Sequence, residues 1–226
     1  MGGTMQRRVW LVRHGESTAN AGQPSADPHG IGLTDLGVRQ ADAVAGMIPH
    51  DPSLIVVSWY LRARLTAEPT ARRFPATPLE VWDVQEFTYL GSLHGQKLTD
   101  LERAPFARQY WHQANPYSVD RPELGCESFA GLMDRADRLL ARLHQAPPGL
   151  VVVFTHGMFI RAVDWCLRAR AGTAERLDMG GYREHHRRRP VPNGSIIELQ
   201  EGDRELREAT EPDLRDRTGS PSPGAW

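Results

Sequence analysis

Short apolar runs alternate with longer segments of helical periodicity along most of this chain, and this alternation limits the possible folds more than any other feature. The run at residues 150–154, Leu-Val-Val-Val-Phe, is typical of a strand buried on both faces of a sheet. Strands that alternate with helices pair in parallel and are covered by helices on both sides. The sequence therefore predicts an α/β protein, a three-layer α/β/α sandwich with a mainly parallel central sheet.

The predicted elements occupy most of the chain. Thr34 is the expected N-cap of the first helix, and Pro69 is expected to bend or divide the second. Residues 172–190 are expected to form a polar loop. Strands are predicted at residues 9–12, 54–57, 79–82, 150–154, 195–199 and 205–209, and helices at residues 34–48, 60–74, 128–143 and 157–169.

Length and composition indicate a single domain. The chain has 226 residues, of which 40% are hydrophobic, and this is enough for one core. We assign residues 1–214 to this domain and residues 83–125 within it to a lid or insert region that contains an amphipathic piece. Residues 215–226 are rich in proline, glycine and charge, and are predicted to form a disordered tail.

The net charge and the cysteine content limit the kinds of binding partner and the cellular compartment that we expect for this protein. The net charge of -1 provides no field that attracts nucleic acid or a membrane surface. No apolar run approaches the roughly 20 residues of a membrane span. Cys126 and Cys166 are too few for a disulfide framework or a zinc site and fit a reducing compartment. We expect a cytoplasmic protein that binds a small molecule and neither nucleic acid nor membrane.

The first apolar run ends in Arg13-His14-Gly15. The loop after the carboxyl end of a strand is where α/β proteins bind ligands. A guanidinium and an imidazole beside a flexible glycine can hold a phosphoryl group and attack it with a ring nitrogen. The same residues also fit an ordinary strand end with a solvent-facing charge and a turn glycine, so alone they leave both interpretations open.

Three later segments carry reactive side chains at comparable positions. Arg62 lies one turn into the helix after the second strand, with Thr66 four residues later on the same face. Glu86 follows the third strand. His156 and Gly157 follow the valine-rich strand and begin a helix, whose free N–H groups favour an anion. In a parallel sheet all of these segments meet at the carboxyl edge, which predicts a phosphate site there.

In chain order, these segments resemble the histidine phosphatase superfamily, also called the phosphoglycerate-mutase-like family. Each motif is weak alone, but the ordered set extends from residue 9 to about residue 199. The matching motifs are Leu11-Val12-Arg13-His14-Gly15-Glu16-Ser17 with Asn20, Leu33-Thr34-Asp35-Leu36-Gly37 with Gln40-Ala41, Ser58 with Arg62-Ala63 and Thr66-Ala67, Glu86, Glu127-Ser128, Thr155-His156-Gly157 and Asn193-Gly194-Ser195.

The resemblance implies a phosphoglycerate-mutase-like fold and a role for each site residue. It implies that His14 is the phosphoryl acceptor and that Glu86 is the proton donor. The remaining residues are implied to contact the phosphate or the substrate, and they are Arg13, Arg62, His156, Asn20, Thr66 and Gly157.

The chemistry of phosphoryl transfer supports these roles independently. The transition state spreads negative charge over three oxygens, so catalysis depends mainly on positioning and electrostatic stabilisation. Two guanidiniums, a second imidazole and helix N–H groups can supply that stabilisation without a metal or a cofactor. His14 must attack as a neutral imidazole, so we expect its other ring nitrogen to donate to a backbone carbonyl.

Other interpretations of single residues remain open from sequence. Arg62 also fits an exposed helix surface, and His156 also fits a structural helix cap. Residues 185–189, His-His-Arg-Arg-Arg, fit a solvated loop or a contact with a phosphate-rich substrate. The nearby carboxylates that compete with Glu86 for the role of proton donor are Glu80, Asp83 and Glu102.

The predicted function is hydrolysis of a small phosphorylated metabolite by a metal-independent phosphomonoesterase, through a phosphohistidine on His14. The alternatives are a phosphoglycerate-type mutase and a non-catalytic phosphate-binding protein. The segment Phe-Thr-Tyr-Leu after Glu86 does not resemble the longer basic loop of the family's mutases, which favours a phosphatase. Aromatic side chains of the lid fit contact with an apolar leaving group or ordinary core packing, and they are Phe106, Tyr110, Trp111 and Tyr117. The lid arginines fit binding of a second anion or a solvated surface, and they are Arg103, Arg108 and Arg121.

Overall fold

The computed structural model describes residues 7–200 and 207–209. Its helices, in the described part of the chain, are all too short or too polar to cross a membrane. The elements in chain order are β1 (Arg8–Arg13), α1 (Asp35–Met47), β2 (Leu54–Val57), α2 (Leu61–Arg73), β3 (Leu79–Val81), α3 (Asp100–Gln113), α4 (Phe129–Leu143), β4 (Leu150–Thr155), α5 (Gly157–Arg170), α6 (Met179–Arg188), β5 (Ile196–Gln200) and β6 (Arg207–Ala209).

The strands form one sheet in the order β3-β2-β4-β1-β5-β6. Strands β3, β2, β4 and β1 are parallel, whereas β5 pairs antiparallel with β1 and with β6. The mainly parallel sheet is therefore confirmed. Because β1, β2 and β4 are adjacent and parallel, their carboxyl ends meet at one edge.

The alternation of side chains along β1 divides the core into two layers. Val9 and Leu11 pack with α4, α5 and α6 on one face of the sheet. Trp10 and Val12 pack with α1 and α2 on the other face. Successive side chains of a strand point to opposite faces, so a strand buried on both sides is apolar throughout. The three-layer α/β/α sandwich is confirmed.

Helix α2 runs through Pro69 without a break, so the predicted division of this helix is wrong. A proline inside a helix removes one backbone hydrogen bond and costs about 3 kcal/mol. Ala63, Thr66, Ala67 and Thr70 are all buried along the same helix. Burial of this face offsets the cost, and the helix continues to Arg73.

The polar loop predicted at residues 172–190 is wrong, because most of its second half is helix α6. Asp178 caps this helix by accepting a hydrogen bond from the third helical N–H, and the Tyr182 ring is fully buried. His185, expected in a solvated loop, has its Nε2 atom 2.7 Å from Oδ2 of the buried Asp164. Because so few side chains of this helix are buried, its sequence shows little of the apolar periodicity from which a helix is predicted.

A close backbone contact joins the start of α1 to the segment that follows β1. A Cβ atom added at Gly37 would lie 2.1 Å from the carbonyl oxygen of Glu16, and one added at Gly15 would lie 2.4 Å from the carbonyl oxygen of Gly37. Thr34 caps α1 as predicted, and its hydroxyl also donates to Glu16 Oε1 over 2.8 Å. The contact therefore requires glycine and holds the segment next to His14 in place.

Gly37→Ala is expected to lower the free energy of unfolding by about 3 kcal/mol, because its Cβ would force two backbones apart. Gly46→Ala is the matched control on α1, since nothing lies within 4 Å of its added Cβ. That change should raise stability by about 0.5–1 kcal/mol. Urea unfolding of the three proteins measures both effects, and an equal gain in both variants would contradict the close contact.

Candidate active site

The carboxyl ends of β1 and β4 lie side by side and bring the two predicted histidines together. Arg13 pairs in register with Thr155, so His14 and His156 follow at the same level. Their ring centroids are 5.0 Å apart. Arg62 extends from the first turn of α2, and its Nε donates a hydrogen bond to Nε2 of His14 over 3.1 Å. Residues distant in sequence therefore meet around one imidazole.

The hydrogen bonds of His14 define which ring nitrogen carries its proton. Nδ1 lies 2.7 Å from the carbonyl oxygen of Gly15, which can only accept, so Nδ1 donates. Nε2 accepts from Arg62 and keeps its lone pair. Burial, followed by the charges of Arg62 and Arg13, holds the pKa of His14 well below its usual value. The ring is therefore neutral near pH 7, with Nε2 unprotonated.

Arg13 and Arg62 are oriented by backbone carbonyl oxygens. Nη1 of Arg13 donates a hydrogen bond to the carbonyl oxygen of Val191. Nη1 of Arg62 donates to the carbonyl oxygen of Pro28 over 2.7 Å. Neither guanidinium forms an ion pair with a carboxylate of the described residues, and the buried Nε of Arg13 has no hydrogen-bond partner there. Burial lowers the pKa of Arg62 to about 10. Buried cations without counter-ions favour the binding of an anion.

His156 is fully buried beside His14. Its Nε2 lies 2.9 Å from the hydroxyl of Ser58, which itself accepts from the N–H of Tyr60 over 3.3 Å. The other ring nitrogen, Nδ1, has no hydrogen-bond partner among the described residues. Burial and then the nearby charge of Arg62 hold the pKa of His156 well below its usual value.

A cavity of about 350 Å³ opens at His14 and extends toward α3. In the described ranges, no three histidine, cysteine, aspartate or glutamate side chains are grouped as metal ligands. The predicted site residues that line the cavity are Arg13, His14, Asn20, Arg62 and Glu86. Those that lie outside its wall are Thr66, His156 and Gly157.

Glu86 is the predicted proton donor that shares this cavity with His14. Its Oε1 accepts from the N–H of Phe87 over 3.0 Å, and its Oε2 lies 3.4 Å from the N–H of Met158 at the start of α5. Its negative charge raises the pKa of Arg62 and opposes the larger effect of burial. The competing carboxylates, which do not line this cavity, are Glu80, Asp83 and Glu102.

Asn20 and Thr66 contact the backbone around His14 in different ways. Asn20 Oδ1 accepts from Asn193 Nδ2 over 3.1 Å, and the same Nδ2 donates to the carbonyl of His14 over 3.0 Å. The hydroxyl of Thr66 accepts from the N–H of Gly15 over 3.0 Å and donates to the carbonyl of Arg62. Thr66 is fully buried, so it supports the backbone from outside the cavity.

The predicted lid contributes less aromatic surface to the cavity than expected. Of the lid side chains singled out from sequence, Arg103 lines the cavity. Tyr110 and Trp111 pack into the core, and Phe106 and Tyr117 are exposed. The remaining wall beyond the phosphate end includes Tyr89, Leu90, Asp100, Ala104, Ala107, Cys126 and Met158.

Sequence reasoning missed Arg135, a buried arginine on α4. Its guanidinium forms a two-fold ion pair with Glu127, in which Nε donates to Oε2 over 2.9 Å. Its Nη1 donates to the carbonyl oxygens of Asp83 and Gln85 over 3.1 and 2.9 Å. Arg135 thus binds the backbone immediately before Glu86. An arginine on the apolar face of α4, in register with Leu132 and Leu139, was the available signal.

The free energy of unfolding should fall on acidification because of the buried neutral histidines. Above about pH 6.5 the His14 ring is neutral in the folded and in the unfolded protein, so it adds nothing to the pH dependence of the free energy of unfolding. Below it, the unfolded chain binds a proton that the folded protein does not bind, which favours unfolding by about 1.3 kcal/mol between pH 7.5 and 5.5.

His14→Asn should therefore lose about 1.3 kcal/mol less than wild type over this interval, measured by urea unfolding at both pH values. His50→Asn, a change at an exposed histidine, is the matched control and should follow wild type. Parallel curves for His14→Asn and wild type would contradict a neutral, buried His14.

Comparisons with known proteins find phosphatases among the relatives of this chain. A metal-independent phosphoserine phosphatase from Arabidopsis thaliana is 33% identical over 166 residues, covering 69% of this chain and 66% of that protein. A glucosyl-3-phosphoglycerate phosphatase from Mycolicibacterium vanbaalenii is 29% identical over 195 residues, covering 78% of this chain and 85% of that protein. This chain thus spans just under two thirds of the Arabidopsis relative.

A solved structure and a family model extend the comparison. The structure of a mycobacterial glucosyl-3-phosphoglycerate phosphatase with VO3 matches with a TM-score of 0.66 and 25% identity, over 90% of this chain and 98% of that chain. The model of the histidine phosphatase superfamily (branch 1) matches residues 9–208. The phosphatase relatives support a phosphoric monoester hydrolase. Since the family model covers most of the sequence, the chain belongs to the histidine phosphatase superfamily, branch 1.

Proposed function

We propose that this protein is a metal-independent phosphomonoesterase that hydrolyses a small phosphorylated metabolite through a phosphohistidine on His14. One observation carries the proposal. The neutral His14 presents Nε2 beside Arg62, with Arg13 next to it in sequence, and neither guanidinium has a carboxylate partner among the described residues. A dianionic phosphoryl group provides the missing negative charge and places phosphorus within reach of the ring nitrogen.

In the first step, the lone pair of His14 Nε2 attacks phosphorus, and the bond from phosphorus to the ester oxygen breaks. Glu86, entering the step as a carboxylic acid, gives its proton to the leaving oxygen, and the alcohol departs. Arg13 and Arg62 stabilise the charge that spreads over the equatorial oxygens. His156 is fully buried outside the cavity wall, so its proposed part is to support His14 from behind rather than to contact the phosphoryl group.

In the second step, water attacks the phosphorus of phosphohistidine. The Glu86 carboxylate takes a proton from this water, and the bond from phosphorus to Nε2 breaks with its electron pair returning to the ring. Inorganic phosphate leaves, His14 is neutral again and Glu86 is protonated for the next cycle. Proton transfer of this kind contributes about 10²–10⁴ to the rate.

The relatives and the site together favour hydrolysis over the alternatives. Both curated relatives are phosphatases, acting by name on phosphoserine and on glucosyl-3-phosphoglycerate, which favours hydrolysis over a mutase reaction. Glu86 in the same cavity as His14 favours turnover over passive phosphate binding. We also propose a cytoplasmic location, supported by the free thiols of Cys126 and Cys166.

Wild-type protein in excess EDTA is expected to release phosphate from 4-nitrophenyl phosphate, because no step requires a metal. His14→Ala should reduce kcat/KM to below about one thousandth of wild type, since it removes the attacking atom. His50→Ala, at an exposed histidine, is the control and should keep full activity. Activity lost to EDTA, or equal activity in His14→Ala, would overturn the proposal.

Arg135 is proposed to position the acid, because it holds the carbonyl groups of Asp83 and Gln85 next to Glu86. A poor leaving group needs protonation more than 4-nitrophenolate does. Arg135→Gln should therefore lower kcat/KM about 100-fold for an alkyl phosphate and less than about 10-fold for 4-nitrophenyl phosphate.

Two variants control the Arg135 experiment. Arg138→Gln changes an exposed arginine on the same helix and should leave kcat/KM for both substrates unchanged. Arg135→Lys keeps a positive charge and should recover part of the activity. Because loss of a buried ion pair costs about 3–5 kcal/mol, each variant is assayed below its melting temperature. Equal losses on both substrates would assign Arg135 a purely structural role.

A further inference from the structure

Two opposite charges on the first turn of α3 face the cavity without pairing with each other. Asp100 and Arg103 both line it, three residues apart and thus on one face of the helix. Pairs at this spacing commonly form ion pairs. Among the described residues, however, the Asp100 carboxylate has no hydrogen bond and no ion pair within 4 Å, although the nearby charge of Arg103 lowers its pKa against the larger effect of burial. Both charges are therefore available to a molecule in the cavity.

The backbone holds the Arg103 guanidinium in a defined direction. Its Nη2 donates to the carbonyl oxygen of Ser25 over 2.7 Å and lies 3.3 Å from that of Gln96. Its Nε and Nη1 have no hydrogen-bond partner in the described part of the chain. A guanidinium that is already oriented, with donors to spare, is suited to bind a carboxylate.

Asp100 lies near the phosphate end of the same cavity. Its charge raises the pKa of Arg13 and of Arg62, opposing the larger effect of burial on each. A carboxylate there attracts a cationic group of the bound molecule and repels a second phosphate. Besides Glu86 and the two guanidiniums available for phosphate, the cavity wall thus carries one further carboxylate and one further guanidinium, on α3.

The size of the cavity limits the ligand to a compact one. Its volume of about 350 Å³ is near the lower end of the range for small-molecule sites. Ala104 and Ala107 form the wall on the following turns of α3, so no large side chain separates the charged groups from the rest of the cavity. A short molecule can therefore contact the phosphate end and α3 together.

We propose that the leaving group of the substrate is an amino acid, so that the substrate is an O-phosphorylated amino acid whose ammonium group binds Asp100 and whose carboxylate binds Arg103. The proposal rests on the proposed phosphatase function, because the phosphoryl group must lie at His14. Asp100 and Arg103 are then specificity residues. They contact the leaving group, and the groups that act on phosphorus are unchanged.

The test compares kcat/KM for four phosphate esters. O-phospho-L-serine carries both charged groups, and 3-phosphoglycerate replaces its ammonium with a hydroxyl on the same skeleton. Phosphoethanolamine keeps the ammonium without the carboxylate, and 4-nitrophenyl phosphate has neither group. Wild type should prefer O-phospho-L-serine over 3-phosphoglycerate and over phosphoethanolamine by about 10-fold or more, the discrimination expected of a charged hydrogen bond.

The variants should alter this preference selectively. Asp100→Asn should lower kcat/KM about 10-fold for the two esters that carry an ammonium group, and Arg103→Gln should do so for the two that carry a carboxylate. Both should leave 4-nitrophenyl phosphate within about 3-fold of wild type, which also shows that they fold. Asp42→Asn and Arg108→Gln, at exposed positions on α1 and α3, are the matched controls.

The outcomes separate this proposal from the phosphatase function. Hydrolysis of 4-nitrophenyl phosphate with equal kcat/KM for O-phospho-L-serine and 3-phosphoglycerate would keep the phosphatase and overturn the amino-acid substrate. Losses of equal size on all four esters would overturn it as well. If wild type hydrolyses none of them, the phosphatase function fails. Calorimetric titration of His14→Ala with the same two esters then decides whether the cavity prefers the ammonium group.

Discussion

The rest of the structure depends on one buried and one half-buried guanidinium, Arg62 and Arg13, which lie beside a neutral imidazole and have no carboxylate partner among the described residues. Backbone carbonyl oxygens of Val191 and Pro28 orient Arg13 and Arg62. A carbonyl carries only a partial charge, so it directs a guanidinium without neutralising it. Burial, followed by the charges of the same cations, holds the pKa of His14 down, so its Nε2 stays unprotonated. One arrangement thus favours an anion and keeps the imidazole neutral.

The backbone around this centre is fixed by contacts from several elements. Asn193 donates to the carbonyl of His14, and the N–H of Gly194 lies within hydrogen-bond distance of the carbonyls of Arg13 and His14. Thr66 supports Gly15 from α2. Groups held in this way need not reorganise when charge develops, and this is the main source of electrostatic stabilisation in enzymes. The sandwich therefore serves the site by holding strand ends and loops in one geometry.

Most of the fold was predictable because burial repeats with a period along the chain. The strand at Leu54–Val57 was predicted to the residue, and Thr34 caps α1 as predicted. Helix α6 was missed because few of its side chains are buried. Pro69 was expected to bend or divide α2, and it does not divide the helix because packing of the buried face outweighs its local effect. Local signals failed where long-range packing supplied the stability.

The sequence by itself determined the α/β sandwich, the family resemblance and the residues that meet at the carboxyl edge, because strand periodicity and the order of motifs are local properties of the chain. Only the tertiary structure decided which of these residues face the cavity. It placed Thr66 and His156 behind the wall. It also brought Arg135 to the backbone beside Glu86 and left Asp100 without an ion pair among the residues that the structure describes. Such contacts join residues tens to hundreds of positions apart, and their geometry follows from packing.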